Sequence, residues 1–180
     1  MAIVKIRRER PGDQAAIRAV HAAAFAQDAS SEPAEVGLVD ALRDCDGWLP
    51  ALSLVAEIDG AIVGHNVCSR GHVERDGLAP VACVGLGPIG IDPQTQGTGV
   101  GSALMWAMIG AAEALEEPLI ALLGAPDYYR RFGFVASSEL GIEPPDAAWG
   151  HFFQALPLTA WESSIAGRFA YAAPFDDLAE

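Results

Sequence analysis

Residues 81 to 123 constrain the fold more than any other stretch. A run of β-formers from Val81 ends at Asp92-Pro93 and is followed by Gln96-Gly97-Thr98-Gly99-Val100-Gly101-Ser102. Leu104, Met108, Ala111 and Leu115 then recur at helical spacing over about residues 99 to 116, and Pro118 closes the segment. Leu119-Ile120-Ala121-Leu122-Leu123 is short and wholly apolar, as a strand covered on both faces would be. A strand, a crossover helix and a second strand imply a parallel pair.

The chain before this unit reads differently. Residues 2 to 7 alternate like a strand. Pro11 and Asp13 suit a helix start, and Ile17, Val20, His21, Ala24 and Phe25 share one helical face. His21 on that face reads as a packed, hydrogen-bonded histidine. Ser31, Glu32, Pro33 and Glu35 open a second helix, with Leu38, Leu42 and Cys45 as its stripe. Residues 51 to 58, 61 to 69 and 81 to 92 are strands separated by the turn signals Asp59-Gly60 and Asp76-Gly77. They predict an antiparallel meander. Residues 151 to 156 give one further strand. The fold class is therefore α/β, of the α+β mixed-sheet kind: antiparallel early and parallel in the middle. At 180 residues, without linker, repeat or low-complexity tract, residues 1 to 180 read as a single domain.

Composition removes several classes of function. The net charge is −13 and no run of Lys or Arg exceeds two, which argues against nucleic acid or anionic membrane as partner. The acidity is compatible with a cationic or amine-bearing substrate. Three cysteines, Cys45, Cys68 and Cys83, without a CxxC pair, argue against a zinc site or a disulfide framework and fit reduced thiols in a cytoplasmic protein. Neither a signal peptide nor a membrane span is expected.

The glycine segment admits four readings. A P-loop requires GxxxxGK[ST], and the Lys and the spacing are missing. A dinucleotide fingerprint would need a glycine at position 102, which is Ser. A tight turn with no ligand needs nothing more than glycine's freedom at positive φ. The fourth is a pyrophosphate cradle: unsatisfied amides at a helix N-terminus, aided by the helix dipole, accept an anion where no Cβ stands in the way.

Gln96 to Gly101 resembles the Q/R-x-x-G-x-G/A motif of the GNAT superfamily of N-acetyltransferases. Leu86 to Pro93 (LGPIGIDP) is similar to that family's fourth strand and exit turn. Leu122 to Phe134 (LLGAPDYYRRFGF) resembles its fifth strand, short helix and following strand, in the form seen in YhbS-like members. Element order agrees to about residue 137, so the resemblance implies a core over 1 to 137 and a C-terminal extension over 138 to 180. It implies a fold with a splayed parallel pair at strands four and five, residues 86 to 92 and 119 to 123. Acetyl-CoA is the implied co-substrate, with no metal, and the implied acceptor is the amine of a small molecule or peptide. The backbone of Ile89, Gly90 and Ile91 would bind pantetheine, and the amides of Gln96, Gly97, Thr98, Gly99, Val100, Gly101 and Ser102 would bind the pyrophosphate.

Tyr129, four residues before Gly133, matches the family's general acid; Tyr128 reads as packing. Arg130 and Arg131 stand equally as contacts to the 3′-phosphate or as surface charge. Two departures stand out. Leu122-Leu123-Gly124-Ala125 lacks the Asn that many members carry at the end of strand five. Val81 to Leu86 lacks the early strand-four Glu, leaving Glu74, His72, His65 and His151 as isolated base candidates. Cys83, near that place, reads as a buried small residue. Trp149, His151, Phe152, Phe153 and Trp161 read as packing first, and otherwise as acceptor-site lining or a homodimer contact. The rival to an enzyme is a GNAT-like module that binds acyl-CoA without turnover.

Overall fold

The computed structural model describes residues 3–27 and 31–178. The first strand, expected over 2 to 7, is β1 (Lys5–Arg8); residue 2 lies outside the described residues. β2 (Leu54–Ile58), β3 (Ala61–Arg75) and β4 (Leu78–Ile91) follow as the expected antiparallel meander. Asp59 and Gly60 both have positive φ, 50° and 84°, which is the handedness a two-residue hairpin requires. The second hairpin is longer than the sequence suggests. β3 continues to Arg75 and β4 starts at Leu78, because His72, Glu74 and Ala79 alternate outward on an exposed ribbon and lack the apolar signature of a strand.

The meander carries helices on both faces. Leu54 and Ala56 of β2 belong to the core beneath α3 (Val100–Ala114), while Val55 between them packs with Ile17 of α1 (Gln14–Ala24) and Leu38, Val39 and Leu42 of α2 (Ala34–Asp44). This is the alternation that puts successive residues on opposite sheet faces. The stripe of α3 lies one step from the expected one. Val100, Leu104, Met105, Met108 and Ala112 are buried, whereas Leu115 lies beyond the last turn and is 48% exposed.

β5 (Leu119–Leu123) runs parallel to β4 but pairs with it only at Val84–Ile120 and Gly85–Ala121. Its other edge pairs along its whole length with antiparallel β8 (Phe153–Pro157), and β6 (Val135–Ala136) adds to β8. β8 sits two residues later than the expected start at 151. The remaining strands were not foreseen: β7 (Ile142–Glu143) pairs with β9 (Gly167–Ala170), and β9 lies antiparallel on His72–Glu74 of β3. Residues 138–178 are thus woven into the same sheet. No helix among the described residues is long and apolar enough to cross a membrane.

A buried polar chain fixes α1 to the sheet. Arg43 Nε donates to Glu9 Oε1 (2.5 Å), and Ser53 Oγ donates to Glu9 Oε2 (2.5 Å). His65 Nε2 stands 3.3 Å from the same oxygen, and His65 Nδ1 is 2.8 Å from His21 Nε2. His21 is therefore the packed, hydrogen-bonded residue expected. Burial is the main cause that holds its pKa down to about 3, and burial likewise lowers that of His65. Burial alone would raise the Glu9 carboxyl, but its hydrogen bonds with His65 and Ser53 outweigh this and bring it to about 2. All three groups bind fewer protons folded than unfolded. Stability is therefore full above pH 6.5 and declines as pH falls from 6.5 toward 3 for His21 and from 4.5 toward 2 for Glu9. The expected slope is about 1.4 kcal/mol per pH unit for each unmatched proton. Urea midpoints measured across this window check it; a flat profile down to pH 4 would mean that these histidines are not held neutral.

Candidate active site

β4 loses its parallel neighbour after Gly85, and the strand changes course at once. Leu86 pairs with Cys68 and Ile89 with Asn66, so Gly87 and Pro88 stand against a single β3 residue in a bulge. Pro88 has no N–H to give to a ladder, and a Cβ on Gly87 would crowd Phe175 and Leu42 at 3.1 and 3.2 Å. The edge of β4 facing β5 is consequently unpaired from Leu86 to Ile91 among the described residues. Ile89 and Ile91 turn their side chains to the α3 core, and Gly90 makes room for the His21 ring, 2.9 Å from where its Cβ would be. Their backbone is the part that remains available.

The chain then makes a compact turn. Asp92 Oδ1 accepts the Gln94 amide at 2.9 Å, and the Asp92 carbonyl accepts those of Thr95 and Gln96 at 2.8 and 3.1 Å. Gly97 and Gly99 have φ of 75° and 96°, a region that favours glycine. The ladder of α3 opens with Ala103 N–H on the Gly99 carbonyl (2.9 Å). Among the described residues, no backbone carbonyl takes the amides of Gly97, Gly99, Val100, Gly101 or Ser102. Of these residues, Gly97, Gly99, Gly101 and Ser102 line one concavity. The side chains of the segment serve the turn instead: Gln96 Nε2 holds the Ile91 carbonyl, the Thr98 hydroxyl holds that of Thr95, and Val100 is buried in the core.

Tyr128 packs against the core, as expected, and also lines this concavity. Its hydroxyl lies against Gly101, 2.8 Å from the place of a Cβ. Gly101 is therefore glycine for the sake of Tyr128, whereas Gly97 and Gly99 serve the turn. Arg131 stacks on the Tyr128 ring at 4.7 Å and bonds its carbonyl at 2.9 Å, and so stays beside the concavity. Arg130 faces outward to Asp127. The two arginines, indistinguishable in sequence, have different surroundings. This cleft of about 530 Å³ is lined by Ile89, Ile91, the three glycines, Ser102, Tyr128 and Arg131.

Tyr129 ends α4 (Pro126–Tyr129), which Pro126 opens right after β5. A Cβ on Gly124 would collide with the Tyr129 ring, which also meets Phe134 and Tyr128 edge-on at 5.8 and 4.9 Å. Burial, and secondarily Tyr128, push its phenol up to about 12. Tyr129 lines the cleft and also a second cavity of about 970 Å³, which shares Phe25 and Ile89 with the first.

The other candidates separate clearly. Glu74 lines the second cavity, while His65 is locked in the buried chain and His72 and His151 are exposed outside both cavities. Cys83 is fully buried and its thiol is raised to about 12 by desolvation, as an inert core residue should be. At the end of β5, the polar side chain comes from the neighbouring strand: Gln154 Nε2 donates to the Gly124 carbonyl at 2.8 Å. Phe153 is core, Trp161 packs half-buried, and Phe152 is exposed, but Trp149 lines the second cavity. Tyr171, Glu35, Asp146 and Asp176 line it too and carried no motif; the alternation Phe169, Tyr171 beside Phe175 was the one trace of an aromatic wall.

The profile described as "Acetyltransferase (GNAT) domain" matches residues 5–136. The chain belongs to the GNAT acetyltransferases. Its relatives in Escherichia coli K12 include the uncharacterized N-acetyltransferase YhbS, 33% identical over 130 residues and 72% of each chain. YjhQ, another uncharacterized N-acetyltransferase of that organism, is 33% identical over 100 residues, 56% of this chain and 55% of its own length. Among solved structures, a Brucella melitensis GNAT acetyltransferase in complex with acetyl-CoA superposes with a TM-score of 0.76 at 36% identity, covering 97% of this chain and 99% of that one. E. coli YhbS in complex with CoA gives 0.84 at 25% identity, over 98% and 93%. GNAT membership makes the chain an acyltransferase by family, and the mixed sheet with its parallel β4–β5 pair is the GNAT fold.

Proposed function

We propose that this GNAT protein is a cytoplasmic, single-domain enzyme that transfers the acetyl group of acetyl-CoA to a primary amine of a small molecule or peptide by direct attack. The observation that carries the reading is the meeting of two cavities at Tyr129 and the β4 bulge, one ringed by orphan amides and the other open to a second substrate. The complexes of the Brucella protein with acetyl-CoA and of YhbS with CoA support it.

The residues present fit the co-substrate. A pyrophosphate is matched by the amides of Gly97, Gly99, Val100, Gly101 and Ser102, with Arg131 beside them. The unpaired edge of Leu86 to Ile91 suits the pantetheine amides, held as an added strand. When bound, acetyl-CoA supplies an activated thioester carbonyl. The backbone amide near Ile89 polarises the oxygen of that carbonyl. Tyr129, kept protonated by its raised pKa, donates a proton to the departing sulfur. The amine enters from the larger cavity already neutral, or gives its proton to water or to Glu74.

The second reading, a module that binds acyl-CoA without turnover, is favoured by the absence of a carboxylate from Val81 to Leu86. Calorimetric titration with acetyl-CoA, CoA and NADH, followed by thiol release with an amine panel, separates the readings. Enzyme predicts micromolar acetyl-CoA binding without NADH binding, and amine-dependent thiol. Binding without thiol supports the module, and no binding at all removes both.

A further inference from the structure

The larger cavity has a charge pattern that its smaller neighbour lacks. Four carboxylates reach it from four separate segments: Glu35 from α2, Glu74 from β3, Asp146 after β7, and Asp176 near the C-terminus. None forms an ion pair among the described residues. The single basic side chain in the lining, Arg168, is turned onto the Pro145 carbonyl. Trp149 and Tyr171 line the same cavity, their rings 6.4 Å apart. Carboxylates at the rim and aromatic rings within attract an organic cation by charge and by cation–π contact. Gly97, Gly99, Gly101, Ser102 and Arg131 line the smaller cleft instead, so anion-holding and cation-holding groups occupy different cavities.

We propose that the acceptor is a small aliphatic polyamine, one of whose amines is acetylated beside Tyr129 while a second, still protonated, is held by Glu35, Glu74, Asp146 and Asp176. This rests on the acetyltransferase reading above and adds the class of acceptor. The volume of about 970 Å³ is at the upper end for small-molecule pockets and accommodates an extended chain. In the reaction the neutral amine nitrogen forms a bond to the acetyl carbon and the carbon–sulfur bond breaks. Tyr129 gives its proton to the sulfur, and the proton lost by the nitrogen replaces it through water. Amine and acetyl-CoA thereby become acetamide and CoA thiol. The second ammonium takes no part in bond changes. Its role is to align the first.

The test compares spermidine, 1,4-diaminobutane, 1-aminobutane and a lysine-rich peptide as acceptors. It uses the intact chain and a Glu35→Gln/Asp146→Asn variant, with acetyl-CoA and spermidine affinities measured separately by calorimetry. Both side chains are at least partly exposed, and the carboxamide oxygen that replaces the Asp146 carboxylate can still accept the Ala148 amide. Spermidine and 1,4-diaminobutane should exceed 1-aminobutane in kcat/KM by about tenfold or more, the sum of two partly screened charge contacts. The variant should erase that advantage, weaken spermidine binding by a similar factor and leave acetyl-CoA affinity unchanged. Equal use of 1-aminobutane and the two polyamines would overturn the proposal and leave the enzyme standing. So would spermidine that fails to bind, or a lysine-rich peptide preferred to spermidine. Spermidine binding lost in the variant, with no amine acetylated, would support the cation site and remove the acetyltransferase reading.

Discussion

Tyr129→Phe should lower kcat by about 10²- to 10⁴-fold, the usual contribution of one positioned proton donor. Acetyl-CoA affinity should stay within about twofold, because the ring carries the contacts to Gly124, Phe134 and Tyr128 and phenylalanine keeps the ring. Among the described residues the phenol makes no protein hydrogen bond, so its removal strands no partner. Because burial lifts its pKa to about 12, the wild-type acid limb should lie far above neutrality, and the rise of rate with pH should follow the amine. Steady-state kinetics with a reactive amine, beside calorimetry, measures both quantities. Unchanged kcat would take Tyr129 out of the chemistry and leave it as the wall between two cavities.

Gly99→Val should abolish acetyl-CoA binding, with Kd weakened by about 100-fold or more, while circular dichroism and the unfolding transition still report a folded chain. Two effects add. A β-branched residue rarely adopts the φ of 96° found at Gly99, so the turn that aims the amides of 99 to 102 must shift. The new side chain also stands where no protein atom lies within 4 Å, at a residue that lines the cleft. The same empty surroundings keep the global cost to the local strain of about 1–3 kcal/mol. Full affinity in a folded variant would show that residues 96 to 102 do no more than turn the chain.

The parts of this fold that sequence revealed are those where one local rule decides. Asp59-Gly60 dictates a hairpin of one handedness, and the spacing of Ile17, Val20 and His21 dictates one helical face. The glycines before an apolar helix dictate exposed amides. The resemblance to the GNAT motifs added the roles of Ile89, Gly90, Ile91 and Tyr129, which spacing alone does not yield. The structure makes those residues neighbours, and their roles remain part of the proposal. What stayed illegible depends on distant partners. The splay of β4 from β5 came from the resemblance alone, and the bulge at Gly87-Pro88, which depends on pairing with β3, has no local pattern within Val81 to Asp92 to announce it. Tyr128 reads as packing in sequence, and its contact with Gly101 is not legible there because it joins distant parts of the chain. β9 is four residues with a glycine and an arginine, too short to announce itself, and it is a strand because His72–Glu74 lie beside it.

The two walls of the site come from different lengths of chain. Residues 86 to 102 and 128 to 131 build most of the cleft of orphan amides, whereas residues 145 to 176 supply nearly half of the lining of the larger cavity. A substitution at Asp146, Trp149 or Asp176 changes what can enter from one side and touches no atom of the turn on the other. Descendants of such a chain are free to change diet within residues 145 to 176 while inheriting residues 86 to 131 intact.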